Sequence, residues 1–339
     1  LDLNFLGITL KRAYWYIGSL SSYLFYPFFL IFPKIITQQL VGVVFFVAFV
    51  GIIYLLEKEN KISVVVLFGL SFPILFQFIH DTGPVRYGLT ICVLTPLLVR
   101  YILTVENVYL QLGLNVLVGT LVFLGVEDKP FFLYITPSIA LITLAYAQNK
   151  DQNNVAESFR YLISKTWVSV VTFLVLTTAY LFLSKTSSGQ IYFFYLKEKF
   201  SHELTIRNLI FFFSEWQKFS HKMFEVYEND PHKVYFTKFA FFNVPLGLSF
   251  WIASLIIVIR AYILRKSQFF LSKTTYTLLA FFTCIVIFAF TQNTWAGHHF
   301  IFAYTFALLA VCQSIPTIAN KLRLPSAKIQ SLNLCDRPS

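Results

Sequence analysis

The chain has 339 residues, 57% of them hydrophobic and 13% charged, with a mean hydropathy of +0.68. A soluble globular domain carries about 25% charged residues, so this composition excludes one and predicts an all-α polytopic membrane protein. The net charge of +11 does not call for a nucleic-acid partner, because the bases are scattered between apolar runs, where they set orientation and meet lipid headgroups.

Residues 1–36 read as an interfacial segment. Tyr14-Trp15-Tyr16 and Tyr23-Leu24-Phe25-Tyr26 carry the aromatic residues that favour the headgroup level. Residues 37–318 read as a transmembrane helical domain. Apolar runs long enough to cross a bilayer are expected at 37–56, 62–79, 87–103, 109–126, 131–147, 167–184, 241–264 and 275–290, with a last one ending near 318. That is about nine spans, without an internal repeat. Residues 148–166 read as a polar loop. Residues 185–240 form one long hydrophilic stretch. Within it, 206–227 alternate apolar and charged residues at helical spacing, as an amphipathic helix on the membrane does. Residues 319–339 read as a basic tail.

Cys92, Cys284 and Cys312 fall inside apolar runs and Cys335 in the tail, so no disulfide framework is implied. The only methionine is Met223, and the expectation is that the natural chain begins upstream of Leu1.

With alternating crossings, the turns sort into two sets. One holds Lys58, Lys61, Arg100, Lys150, Arg160, Lys165, Arg260, Arg265, Lys266, Lys273 and the tail; the short turns of the other hold only Arg86 and Lys129. An excess of Lys and Arg marks the cytoplasmic side. The second set is therefore expected to face outward, toward a periplasm, together with the amphipathic loop.

Three turns rich in ionisable groups share that outer face: His80-Asp81-Thr82-Gly83-Pro84-Val85-Arg86, Glu127-Asp128-Lys129, and Trp295-Ala296-Gly297-His298-His299. The inner turns look like ordinary basic anchors. Charges next to hydrocarbon are costly and tend to be functional; the bland reading is a set of solvated turns. Asp81 and Asp128 are the candidate catalytic carboxylates, acting as a general base. Arg86, Lys129, His298 and His299 suit phosphate oxygens, with Glu127 a further, more solvated member. The carboxylates could hold a divalent metal, although no ligand spacing demands one.

At these turns the sequence resembles bacterial membrane glycosyltransferases of family 39, polytopic GT-C enzymes related to protein O-mannosyltransferases and aminoarabinose transferases. The resemblance rests on Asp81-Thr82-Gly83-Pro84-Val85, on a glycine followed by an Asp-Lys pair at Gly125-Val126-Glu127-Asp128-Lys129, and on Gly297-His298-His299. It extends to Gly7-Ile8-Thr9-Leu10, Tyr16-Ile17-Gly18-Ser19-Leu20 and Tyr23-Leu24. It implies a GT-C-like fold with interfacial helices on the outer face. It also implies a polyprenyl-phosphate sugar donor, a lipid, glycan or protein acceptor, and a site facing the periplasm from a bacterial inner membrane. In that family the catalytic carboxylate sits in the first outer loop, which the resemblance puts before Leu1. The family's early arginine has no counterpart, since Thr37-Gln38-Gln39 occupies its region. The rival class is a transporter or flippase of a lipid-linked or polar substrate. Its ionisable groups would lie near the midplane on broken helices, whereas here they lie at span ends.

Overall fold

The computed structural model describes residues 2–5, 8–11, 34–57, 60–80, 85–128, 132–147, 155–184, 255–256, 259, 272–291 and 300–322. Among these, one antiparallel hairpin, β1 (Asp2–Phe5) and β2 (Ile8–Lys11), pairs Asp2 with Lys11 and Phe5 with Ile8. Polar and apolar residues alternate along both strands, the period of a strand rather than of a helix. This hairpin departs from the all-helical expectation at the start of the interfacial segment. Every other described element is a helix: α1 (Lys34–Leu56), α2 (Lys61–Gly69), α3 (Phe72–His80), α4 (Val85–Ile102), α5 (Val108–Asp128), α6 (Phe132–Ala147), α7 (Val155–Ser184), α8 (Lys273–Thr291) and α9 (Phe300–Leu322).

Four stretches, Gln39–Leu56, Val85–Ile102, Val108–Asp128 and Ala156–Tyr180, are long and apolar enough to cross a membrane. The apolar stretches Phe132–Ala147, Lys273–Ile287 and Ile301–Ile315 are shorter. These are the helices of an integral membrane protein. The expected second span is not one straight helix. It is the pair α2 and α3, bent by 63° about Leu70 and Ser71, and counting the pair as one span raises the total to five. Gly69, Ser71 and Pro73 cluster at the bend, and such residues break helices. The expected polar loop at 148–166 is also corrected, because α7 begins at Val155. Ser158, Leu162, Thr166 and Ser169 are all buried and recur at helical spacing, so one face of this polar stretch packs on its neighbours. The expected amphipathic helix at 206–227 lies outside the described residues, as does the span at 241–264 apart from 255, 256 and 259.

The order of crossings follows from local caps. Asn107 accepts a hydrogen bond from the N–H of Leu110 at 3.0 Å, starting α5. Gln111 Nε2 donates to the carbonyl of Ile102 at 3.1 Å, closing α4. The link between them is therefore short and the two helices run antiparallel. Helix α5 then packs on α7, α6 on α4 and α8, and α1 on α3 and α4. The core between them is mostly aliphatic and aromatic, with Phe49, Ile53, Phe68, Ile74 and Phe78 inaccessible to solvent.

Glycines set the closest approaches. A methyl at Gly119 would run into the carbonyl oxygen of Ser169 and come within 2.7 Å of Thr172 Cβ. Beside it, Asn115 Nδ2 donates to the carbonyl of Lys165 at 3.1 Å and Ser169 Oγ donates to Asn115 Oδ1 at 2.7 Å. Small residues plus buried polar bonds are how helices associate where apolar burial offers no driving force. Gly119→Leu is expected to lower the melting temperature of the purified protein sharply. Gly113→Ala, in the same helix with nothing within 4 Å, should be neutral or gain up to about 1 kcal/mol. Thermal unfolding in detergent distinguishes the two, and equal behaviour would refute the α5–α7 packing.

Candidate functional site

Because α4 and α5 are antiparallel, the start of α4 and the end of α5 lie at one end of the bundle. Helix α6 starts there too. Phe132 lies against both neighbours: a methyl at Gly88 would come within 3.1 Å of its ring, and one at Gly125 within 2.5 Å. Helix α9 also starts at this end, with Phe302 edge-on to Phe132 at 6.3 Å between ring centres. Phe302 would also lie 3.0 Å from a methyl at Gly88. The flanks of all three charged turns are thus packed together: Arg86, Asp128 and Phe132, and the first turn of α9 just after His298 and His299. Gly125, noticed in the sequence for its place before Asp128 and Lys129, has a packing reason, since a larger residue would displace Phe132.

Within this end, Arg86 is fully buried. Its guanidinium donates to the carbonyl of Phe78 at 3.3 Å and lies 5.4 Å from the centre of the Tyr87 ring. Phe78 is in the last turn of α3, whose carbonyls lack helical donors, and a cation there also meets the negative end of the helix dipole. Gly42 of α1 lets that same carbonyl approach, because a methyl at Gly42 would collide with it. Arg86 is therefore first of all a structural cap between α1, α3 and α4. Asp128 is 1% exposed and Glu127 9% exposed, both in the last turn of α5. This corrects the expectation that Glu127 is solvated. A carboxylate buried at a helix C-terminus opposes the dipole and loses its hydration, and Asp128 and Glu127 both have interactions within the protein that offset this. His80 ends α3. Asp81, Lys129, His298 and His299 lie outside the described residues. Among the described residues, no three His, Cys, Asp or Glu side chains gather as a metal site.

The opposite end holds a polar cluster the sequence reading missed. Glu57, expected to be part of a basic anchor turn, is 1% exposed. Its carboxylate accepts from the Tyr146 hydroxyl, from Gln313 Nε2 at 2.8 Å, and from Lys273 Nζ at 2.8 Å in an ion pair. Lys273 Nζ also stands 4.3 Å from the centre of the Tyr146 ring. Four helices, α1, α6, α8 and α9, thus meet on one carboxylate. The available signal was Gln313, a lone amide in an apolar run, since polar groups in such runs usually have a partner. On the same side, Arg100 donates to the carbonyl of Leu56 at 3.4 Å and closes α1.

Compared with known proteins, the chain matches no family model, no curated protein and no solved structure.

Glu57→Ala would strip three donors of their acceptor, and a loss of about 2–4 kcal/mol is expected. Lys273→Met should cost less, because Lys273 is one-third exposed (34%) and Glu57 keeps two other donors. Thermal unfolding of the two variants tests this, and the reverse order would show that the ion pair, rather than the hydrogen bonds, dominates.

Proposed function

We propose that this chain is a membrane glycosyltransferase of the GT-C kind, moving a sugar from a polyprenyl-phosphate donor to an acceptor hydroxyl at the Asp128 end. The observation that carries the reading is the packing of the flanks of three charged turns at one end, with Asp128 buried among them. Lys61, Arg100, Arg160, Lys165 and Lys273 belong to the other end, which supports an outward, periplasmic orientation of the Asp128 end in a bacterial inner membrane.

In this mechanism Asp128, or else Asp81, accepts the proton of the acceptor hydroxyl. The hydroxyl oxygen attacks the anomeric carbon as the bond from that carbon to the lipid phosphate breaks, and the electron pair leaves with the phosphate. Lys129, His298 and His299 donate to the phosphate oxygens, and the buried charge of Arg86 adds to the attraction. Stabilising an anionic leaving group with fixed cationic donors is usually the largest electrostatic contribution to such a reaction. A divalent ion held by the carboxylates fits the same chemistry.

A second reading, a transporter or flippase, is favoured by the bent pair α2 and α3. Ser71 at the bend is buried and donates to the Tyr304 hydroxyl at 3.3 Å, a polar contact within apolar helices. Broken helices near the midplane are a transporter feature.

The test uses membranes holding the full-length protein and radiolabelled polyprenyl-phosphate sugars, following label into lipid, protein and glycan fractions. Asp128→Asn is expected to reduce transfer at least about a hundredfold with little change in melting temperature. Label crossing the membrane without transfer would favour the transporter. Unchanged transfer would move the base away from Asp128.

A further inference from the structure

We draw no further inference here: the strongest candidate, the apolar groove of about 530 Å³ lined by residues of α4, α5, α6 and α7, is an unpartnered apolar face, and nothing in the structure shows what covers it.

Discussion

The constraint on which this structure depends is that a backbone polar group inside hydrocarbon must find its partner within the protein. At three of the described helix ends, a carbonyl is met by a side chain from elsewhere. Arg86 reaches the carbonyl of Phe78, Arg100 that of Leu56, and Gln111 that of Ile102. Thr136 makes good the carbonyl that Pro137 deprives of a donor. Ser138 bonds the carbonyl of Ala280 across α6 and α8 at 2.9 Å. An unmade bond of this kind costs several kcal/mol in lipid, more than the packing of any one side chain returns. The few polar residues of an apolar chain are therefore concentrated at helix ends and crossings, and their positions fix how the helices meet.

The same constraint explains what was legible beforehand. Spans, alternation and the side on which each turn falls depend on long runs of composition, and they are readable from hydropathy. The sharing of one end by three turns follows from that alternation, and the contacts of Phe132 with Gly88, Gly125 and Phe302 agree with it. What depends on a single partner was not legible. Glu57 reads as one charge in a charged turn, and only the distant Tyr146, Lys273 and Gln313 make it a buried junction. The bend between α2 and α3 was visible as Gly69, Ser71 and Pro73, but an uninterrupted apolar run outweighed three small signals. The first turns of α7 were misread because polar composition suggests a loop, although Ser158, Leu162 and Thr166 share one helical face.

Arg86 shows how a functional and a structural role become entangled. Its chemistry suits phosphate, which is why the sequence suggests it as a ligand. Its burial and its bond to Phe78 suit the closing of α3. A cation held that rigidly raises the potential of its end of the bundle without touching a substrate, and a rigid cation costs little reorganisation when charge develops nearby. Loss of activity on replacing Arg86 would therefore not by itself identify a ligand. Asp128 is the better discriminator. Replacing Asp128 by Asn removes the charge while keeping the shape of the side chain, so its effect on transfer separates proton acceptance from packing.

The two functional readings differ in where they require polarity. Surface transfer needs charge at one end and apolar walls beneath it; transport needs a polar route through the middle. In the described residues, Glu57, Arg86, Asp128 and Lys273 all lie at helix ends. The middle holds mostly hydroxyls, several donating to their own helix, as Thr90, Thr143 and Thr305 do. A hydroxyl spent on its own backbone presents only carbon to a passing solute. The bend at Ser71 is the exception, yet its hydroxyl is turned to Tyr304, which ties α2 and α3 to α9. A pathway through this bundle would have to break that contact and supply its own polar lining, whereas chemistry at the Asp128 end requires no helix to move.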